Sequence, residues 1–512
     1  MTSDSLTLMG GSIELAELAE VRTEKVLPKE FPYLPFVGLD DIEAHTMTLL
    51  GVKDSMELKS SAKRFYKGDV LYSRLRPYLN KVWRADRDGI CSSEFIVIPQ
   101  NKDLDGKFLS YRLNAADFVA YANSLNAGDR PRVDFTQISS FLFPAFSIIQ
   151  QRKVVAKIEE LFSELDNGIA ALKTAREQLK VYRQAVLKRA FEGKLTAKWR
   201  EENADKLETP DQLLARIQQE REARYQQQLD EWKAAVKAWE ANGKEGKKPG
   251  KPKEQSYRLE LDESLKLQLQ LPDSWTPLCI GNVFSVYVGA TPSRKERSYW
   301  NGNIRWVSSG EVAFRNISDT SEKITQSGFE NTSTDLHPIG TVLLAMIGEG
   351  KTRGQAAILR VPAAHNQNTA AVRVSEVGLP PEFLYYFLMY QYEQTRRMGS
   401  GNNQKALNKS RVASIQFPLC SELEQMEIAD QLAQKLSVLD SFNREIDDAL
   451  DRVETLRQSI LKKAFSGQLV PQDPNDEPAS ELLARIKAEK EKTAASTKKK
   501  PTAKRGRKAK VV

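Results

Sequence analysis

Few residues in this chain have the types and spacing for catalysis. Ala345-Met-Ile-Gly-Glu-Gly-Lys351-Thr352 fits AxxxxGK[ST], a glycine loop that cradles nucleotide phosphates when a strand precedes it and a helix N-terminus follows. A strand is expected over 341–345. The next residues, Arg353-Gly-Gln-Ala-Ala-Ile-Leu-Arg-Val-Pro362, read as a turn and a second strand, which puts the phosphate-facing helix in the wrong place. Asp335, Glu349 and Lys351 resemble the spaced acid–acid–lysine set of metal-dependent nucleases. Three scattered cysteines (Cys91, Cys279, Cys420) and three lone histidines (His45, His337, His365) have no metal-ligand spacing, and the thiols fit a reducing compartment. No Ser/His/Asp or Cys/His set, dinucleotide GxGxxG or Asn/Asp-Pro-Pro-Tyr motif is readable. The chain reads as a binder, and a P-loop ATPase or nuclease is the alternative from the enzyme class.

What remains is chemistry suited to reading bases. Arginine and lysine can pair bidentately with guanine, and asparagine or glutamine with adenine. One cluster is Ser293-Arg294-Lys295 with Arg297, followed by Lys351, Arg353 and the amide-rich Asn402-Asn403-Gln404-Lys405. Nearer the N-terminus lie Lys63, Arg64, Arg74, Arg76, Lys81, Arg130 and Arg132. The formal charge of +8 suggests a polyanionic partner, yet Lys498 to Lys510 alone holds eight Lys/Arg and no acid. The rest is neutral overall, so any nucleic-acid surface on the folded body is a local patch. The basic tail is expected to be disordered, either as a merely solvated segment or as one that attracts DNA phosphates without regard to sequence.

The elements that must position these groups come twice. Arg183-Gln-Ala-Val-Leu-Lys-Arg-Ala-Phe-Glu-Gly-Lys-Leu195 returns 274 positions later as Arg457-Gln-Ser-Ile-Leu-Lys-Lys-Ala-Phe-Ser-Gly-Gln-Leu469, with eight of 13 positions identical. Phe143-Pro144 matches Phe417-Pro418, and Leu165-Asp166 matches Leu439-Asp440. The GKT match has no equivalent in the first copy, where Gly68-Asp-Val-Leu-Tyr-Ser-Arg74-Leu-Arg76 stands instead. Each copy runs from a mixed, strand-rich head into a long helix. Ser147-Ile-Ile-Gln150 and Ser421-Glu-Leu-Glu424 both fit capping boxes, and Gly193 and Gly467 mark the ends. Each helix is therefore roughly 65 Å long at 1.5 Å per residue.

Apolar residues alternate at four and three. The first stripe is Val154, Ile158, Leu161, Leu165, Gly168, Leu172, Ala175, Leu179, Tyr182 and Val186; the second is Ile428, Leu432, Lys435, Leu439, Phe442, Ile446, Ala449, Val453, Leu456 and Ile460. This period predicts a narrow seam for another helix, built on Ile158, Leu165, Leu172, Leu179, Leu432, Leu439, Ile446 and Val453. The economical partner of each helix is its duplicate, so an antiparallel intramolecular coiled coil is expected, giving an α+β fold with pseudo-twofold duplication. Leu213-Leu-Ala-Arg-Ile217 recurs as Leu482-Leu-Ala-Arg-Ile486, each after a proline. The expected domains are residues 1–147, a helical region 148–242, a basic Gly/Pro linker 243–270, a second head 271–420, a helical region 421–492 and the tail 493–512. No secretory signal or membrane-length apolar run is present, so a cytoplasmic, soluble protein with no membrane association is expected.

This architecture resembles the specificity (S) subunit of type I restriction-modification systems over nearly the whole length. The resemblance is carried by Leu271-Pro-Asp-Ser-Trp275, Gly289-Ala-Thr-Pro-Ser293, Trp300-Asn-Gly-Asn-Ile-Arg-Trp-Val-Ser-Ser309, the two Phe-Pro junctions and the Lys-Arg/Lys-Ala-Phe-x-Gly-x-Leu helix ends. The first head has no Leu-Pro-x-x-Trp opening. The resemblance implies two target-recognition domains, each reading half of a bipartite site in double-stranded DNA. It also implies that the paired helices set the gap and dock two methyltransferase (M) subunits. Those would carry S-adenosylmethionine and methylate adenine, while two restriction (R) subunits would add ATP- and Mg-dependent translocation and cleavage. The chain itself would bind no cofactor and catalyse nothing. A coiled-coil adaptor that binds only protein is the other alternative.

Overall fold

The computed structural model describes residues 11–55, 60–125, 128, 130–246, 248–252, 259–261, 268–348, 350–397, 406–471, 473 and 475–497. Of the basic tail 493–512, residues 493–497 finish a helix where disorder was expected, and residues 498–512, like the amide-rich loop 402–405, lie outside the described residues. Four long helices stand out: α1 (Ile148–Phe191), α2 (Pro210–Ala241), α3 (Glu422–Phe465) and α4 (Ala479–Thr497). No helix among the described residues is long and apolar enough to cross a membrane.

The chain divides into two compact units, and each takes half of both longest helices. One comprises residues 1–174 and 446–512, the other 175–445. In the first unit, short strands β1 (Ser12–Glu14), β2 (Lys25–Val26), β3 (Phe36–Val37), β4 (Ala62–Phe65), β5 (Val70–Ser73), β6 (Val82–Arg84), β7 (Gly89–Cys91), β8 (Phe95–Ile98) and β9 (Leu142–Pro144) form three small sheets. Their orders are β1-β9, β2-β4-β7-β3 and β6-β5-β8. In the second unit, β10 (Thr276–Cys279), β11 (Ser285–Val288), β12 (Trp300–Val307), β13 (Arg315–Ile317), β14 (Glu322–Ile324), β15 (Thr341–Ala345), β16 (Ala356–Leu359), β17 (Ala364–His365), β18 (Thr369–Arg373) and β19 (Gln416–Leu419) do the same. Their orders are β10-β19, β11-β18-β15-β16-β13 and β14-β12-β17.

The two Phe-Pro junctions do the same job in each unit. Pro144 faces Ser12 across β1-β9, and Pro418 faces Pro277 across β10-β19. Each junction feeds a helix start through one glutamine, because Gln151 Nε2 donates to Phe146 O at 3.0 Å and Gln425 Nε2 to Cys420 O at 2.8 Å. Ser147 and Gln150 close a full capping box at 2.9 and 3.3 Å. At the second start only half of the expected box forms: Ser421 Oγ accepts from Glu424 N at 3.3 Å. The buried Glu424 carboxylate instead receives Thr196 Oγ1 at 2.7 Å, Arg200 Nε at 2.8 Å and Trp275 Nε1 at 2.9 Å. Three donors satisfy a buried charge that would otherwise be costly. At the equivalent place in the first unit, which lacks this tryptophan motif, Phe146, Gln150, Val154, Gly467 and Val470 line an open pocket.

Helix α1 packs against α3, and the packing is antiparallel. Arg457 pairs with Asp166 in the first unit, and Arg183 with Asp440 in the second. Facing residue numbers in an antiparallel pair add to a constant, and these two pairs give the same total. Ile158, Leu432, Leu439 and Ile446 are buried, and Leu165, Leu172, Leu179 and Val453 half-buried, in this contact.

The alternate layer of the seam, however, lies one residue later than the apolar spacing predicts. Phe162, Ile169, Arg176 and Arg183 on α1, and Leu436, Asn443, Leu450 and Arg457 on α3, are buried or half-buried, whereas Gly168, Tyr182, Lys435, Phe442 and Leu456 are exposed; at the other expected positions Leu161, Ala175 and Ala449 are half-buried beside their neighbours. The cause is arginine. Its aliphatic stem covers apolar surface while the guanidinium reaches outward, to Asp166 or Asp440, and the Arg457 guanidinium lies 5.2 Å from the Phe162 ring centroid.

Each helix also ends inside the head of the other repeat. Phe191 closes α1 in the second core, with its ring centroid 5.4 Å from Phe383, 5.2 Å from Phe387 and 5.9 Å from Tyr390. Phe465 closes α3 in the first core, 5.4 Å from Phe108 and beneath the fully buried Arg112. Helices α2 and α4 then dock on those cores through Leu213 and Ile217, and through Leu482 and Ile486. Arg216 forks onto Glu208, and Arg485 onto Glu477.

The frame of the seam makes Gly168 an exposed glycine in mid-helix, and a Cβ added there would meet nothing within 4 Å. Gly168→Ala is expected to raise unfolding stability by about 0.5–1 kcal/mol in urea titration, because it removes only backbone entropy. A loss of stability would place position 168 back inside the seam.

Candidate nucleic-acid interface

In both heads the central strand hands the chain to a loop that a second loop holds in place. In the first head, β5 runs into Arg74-Leu75-Arg76, where Val133 N donates to Arg74 O at 2.9 Å, Arg76 N donates to Pro131 O at 2.8 Å, and Leu75 bridges Arg132. In the second, β15 runs into Met346, and Leu407 N donates to Met346 O at 3.0 Å. Val133 and Leu407 are 274 residues apart, the repeat spacing. Each then leads into a short helix capped by an acid or amide: Asp134 accepts from Gln137 N, and Asn408 from Arg411 N. The fold therefore brings Arg74 and Arg76 together with Arg130 and Arg132. It sets the flanks of Lys351 and of the loop 402–405 in the matching position of the second head.

The remaining first-head candidates have internal work. Lys63 Nζ donates to Phe95 O at 2.6 Å, and burial lowers the pKa of this ammonium. Arg64 is buried between the rings of Phe31 and Tyr66. Lys81 Nζ donates to Leu39 O at 2.7 Å. Arg132 is exposed and pairs with Glu94 at 2.8 Å. A sequence presents all cations alike; only the fold separates those that seat a carbonyl from those that face solvent.

In the second head, Ser293, Arg294, Lys295 and Arg297 all lie exposed on the loop between β11 and β12. The Arg294 guanidinium stacks 3.8 Å from the Trp300 centroid and forks onto Glu322, which raises its pKa. Trp300 Nε1 donates back to Ser293 O at 3.1 Å, and Trp306 Nε1 to Ala290 O at 3.0 Å, so the two tryptophans of the Trp-Asn-Gly-Asn-Ile-Arg-Trp stretch fasten the Gly-Ala-Thr-Pro-Ser loop. Gly289 is required there: a Cβ would stand 1.9 Å from His365 O.

Beneath that loop lies a polar chain that sequence reading missed, since its members stand far apart as single residues. Arg373 Nε donates to His337 Nδ1 at 3.0 Å, His337 Nε2 meets His365 Nε2 at 3.1 Å, and His365 Nδ1 meets Thr369 Oγ1 at 2.6 Å. Because arginine can only donate, His337 must carry its proton on Nε2, and His365 on Nδ1. Both rings are then neutral. Burial, aided by His365 and Arg373, holds the His337 pKa down to about 2, and burial with Arg373 holds His365 down to about 4.

The glycine-lysine-threonine stretch is not a phosphate loop. Gly354 N turns back to Ala345 O at 2.9 Å, and the chain continues into strand β16 where a P-loop needs a helix. Lys351 is exposed, its carbonyl accepting from Tyr392 Oη at 2.5 Å, and Arg353 is half-buried. Glu349 of the nuclease-like set lies outside the described residues. Among the described residues no group of three or more His, Cys, Asp or Glu side chains is arranged to hold a metal ion.

Two α/β heads completed by an antiparallel pair of long helices form the fold of solved type I specificity subunits. The chain superposes on one solved in work on complex assembly and conformational transition of the type I R-M system, with a TM-score of 0.63 and 18% identity over 90% of this chain and 99% of that one. The HsdS subunit from Thermoanaerobacter tengcongensis gives a TM-score of 0.56 and 19% identity over 90% and 98%. Residues 272–452 match the type I restriction modification DNA specificity domain. The Escherichia coli EcoDI specificity subunit is 30% identical over 215 residues, or 40% of this chain and 48% of that subunit, so the chain spans about half the length of that relative. The Haemophilus influenzae HindI specificity subunit is 20% identical over 86% of this chain and 95% of its own length. A type I restriction modification DNA specificity domain in its second half, and curated relatives named as type I specificity subunits, are what the chain is similar to.

The neutral histidines make the second head sensitive to acid. Their folded pKa values lie below the unfolded value of about 6.5, so below that pH the unfolded chain takes up protons that the folded chain refuses. Stability is expected to fall by about 3 kcal/mol between pH 6.5 and 5 for the pair. His365→Asn should flatten that slope in urea titrations at the two pH values, and an unchanged slope would contradict the neutral assignment.

Proposed function

We propose that this chain is the DNA-recognition subunit of a type I restriction-modification complex and has no catalytic role of its own. Each head reads one half of a bipartite site in double-stranded DNA. The α1–α3 pair sets the unread gap and docks two M subunits, which carry S-adenosylmethionine and methylate adenine N6; two R subunits add ATP- and Mg-dependent restriction. The observation that carries this reading is the loop pair repeated at the same place in both heads, on one shared skeleton but with different side chains. Dimeric DNA readers tie half-site spacing to protein symmetry in the same way. Exposed Tyr182, Val438 and Phe442 on the helices of the second unit supply the uncovered apolar surface that docking of another protein requires.

Replacing residues 1–147 by the equivalent head of another specificity subunit, with the partner M subunit co-expressed, is expected to change one half of the methylated motif and leave the other half intact. A continuous motif, or a swap without effect, would contradict the reading. The protein-only adaptor is separated by DNA affinity against salt. With residues after Lys492 removed, phosphate contacts still predict a steep inverse dependence, and an adaptor predicts none.

A further inference from the structure

Among the described residues, seven non-glycine positions have a left-handed backbone, and four of them belong to one small part of the first head: His45 (φ 64), Met47 (φ 60), Arg76 (φ 52) and Asn80 (φ 40). Such conformations cost energy outside glycine, and they persist where the surroundings impose them. Here the constraint is a closed ring of hydrogen bonds. His45 N donates to Asn80 O at 3.3 Å, Asn80 Nδ2 to Asn114 Oδ1 at 2.5 Å, and Asn114 Nδ2 to His45 O at 3.2 Å. Asn80 and Asn114 are buried beneath the turn. The backbone of Arg76 is held on both sides, its N–H by Pro131 O at 2.8 Å and its carbonyl by Leu79 N at 2.9 Å, and Pro77 stiffens the next residue.

All of this rigidity presents one side chain. Arg76 is exposed, and its guanidinium makes no hydrogen bond or ion pair with any described residue. Arg132 is paired with Glu94, Lys63 and Lys81 are tied to carbonyls, and Arg74 is half-buried; Arg130 is exposed too, but without the left-handed backbone that fixes Arg76. A planar, permanently charged fork on a fixed backbone is the group best matched to two acceptors at fixed separation, and O6 and N7 of guanine provide them in the major groove. The matching position of the second head, counted from the paired carbonyls of Arg74 and Met346, is Gly348, which has no side chain to offer.

We propose that Arg76 is a specificity-determining residue of the first head and reads one guanine of its half-site. This rests on the DNA-recognition function proposed above. The test is methylome sequencing of the complex with its M subunit, for the wild type, Arg76→Gly and Arg76→Gln. Glycine accepts the left-handed conformation freely, so Arg76→Gly should keep or raise the thermal midpoint, which separates lost reading from lost folding. Discrimination at one G·C pair, in the half assigned to residues 1–147, should fall roughly tenfold to a hundredfold, with the other half and the spacer unchanged. Arg76→Gln should move the preference at that pair towards adenine. A motif unchanged at every position would overturn the inference and leave the proposed function standing. So would a uniform loss of methylation with the same motif, the mark of a phosphate contact. A wild-type motif without two halves would overturn the proposed function itself.

Discussion

The structure depends on the antiparallel pairing of α1 with α3. Because the helices run in opposite directions, each leaves its own head and finishes in the core of the other repeat's head. Phe191, against Phe383, Phe387 and Tyr390, and Phe465, against Phe108 and Arg112, show how complete the exchange is. Neither head is therefore built from a continuous stretch of chain. Removing the apolar contact of one helix end would open a core that strands alone do not close, since sheets of two to five short strands have little area to bury against one another.

On that common skeleton, the two heads keep what holds loops in place and vary what the loops carry. The Phe-Pro strand pairs, the glutamine ties and the carbonyl–amide contacts at Arg74 with Val133 and at Met346 with Leu407 recur at matching positions. Around them the chemistry differs. The first head offers arginines on a turn braced by Asn80 and Asn114, and the second an arginine stacked on tryptophan above a buried histidine pair. On the proposed reading, that contrast is what two different half-sites demand of one framework.

Much of the skeleton was legible because it repeats. Helix starts, glycine ends and the layer of the seam through Leu165, Leu172, Leu432 and Leu439 follow from apolar period and capping residues. In the alternate layer the spacing favours Tyr182 and Leu456, whereas the fold uses the stems of Arg183 and Arg457, whose charged ends hide their apolar reach from a hydrophobicity pattern. The glutamate of the second capping box went to Thr196, Arg200 and Trp275, partners more than 100 residues distant in the chain that no local motif specifies. Among the candidate base readers, residue type gave the list, but only tertiary contacts, carbonyl hydrogen bonds for Lys63 and Lys81 and burial between rings for Arg64, divide them from Arg76. The histidine chain was unreadable for the same reason: His337, His365 and Arg373 meet only once β17 and β18 are in place.

On the proposed function, the helix pair is the measure between two readers. The most direct test inserts one heptad into α1 after Thr174 and one into α3 after Asp448, keeping the seam in register, and maps methylated adenines with the partner M subunit present. A heptad adds about 10 Å of helix. The expected motif has two halves that keep their sequences while the unread spacer lengthens by whole base pairs, up to about three at 3.4 Å per step. An unchanged spacer with full methylation, or half-sites whose sequences change, would contradict it.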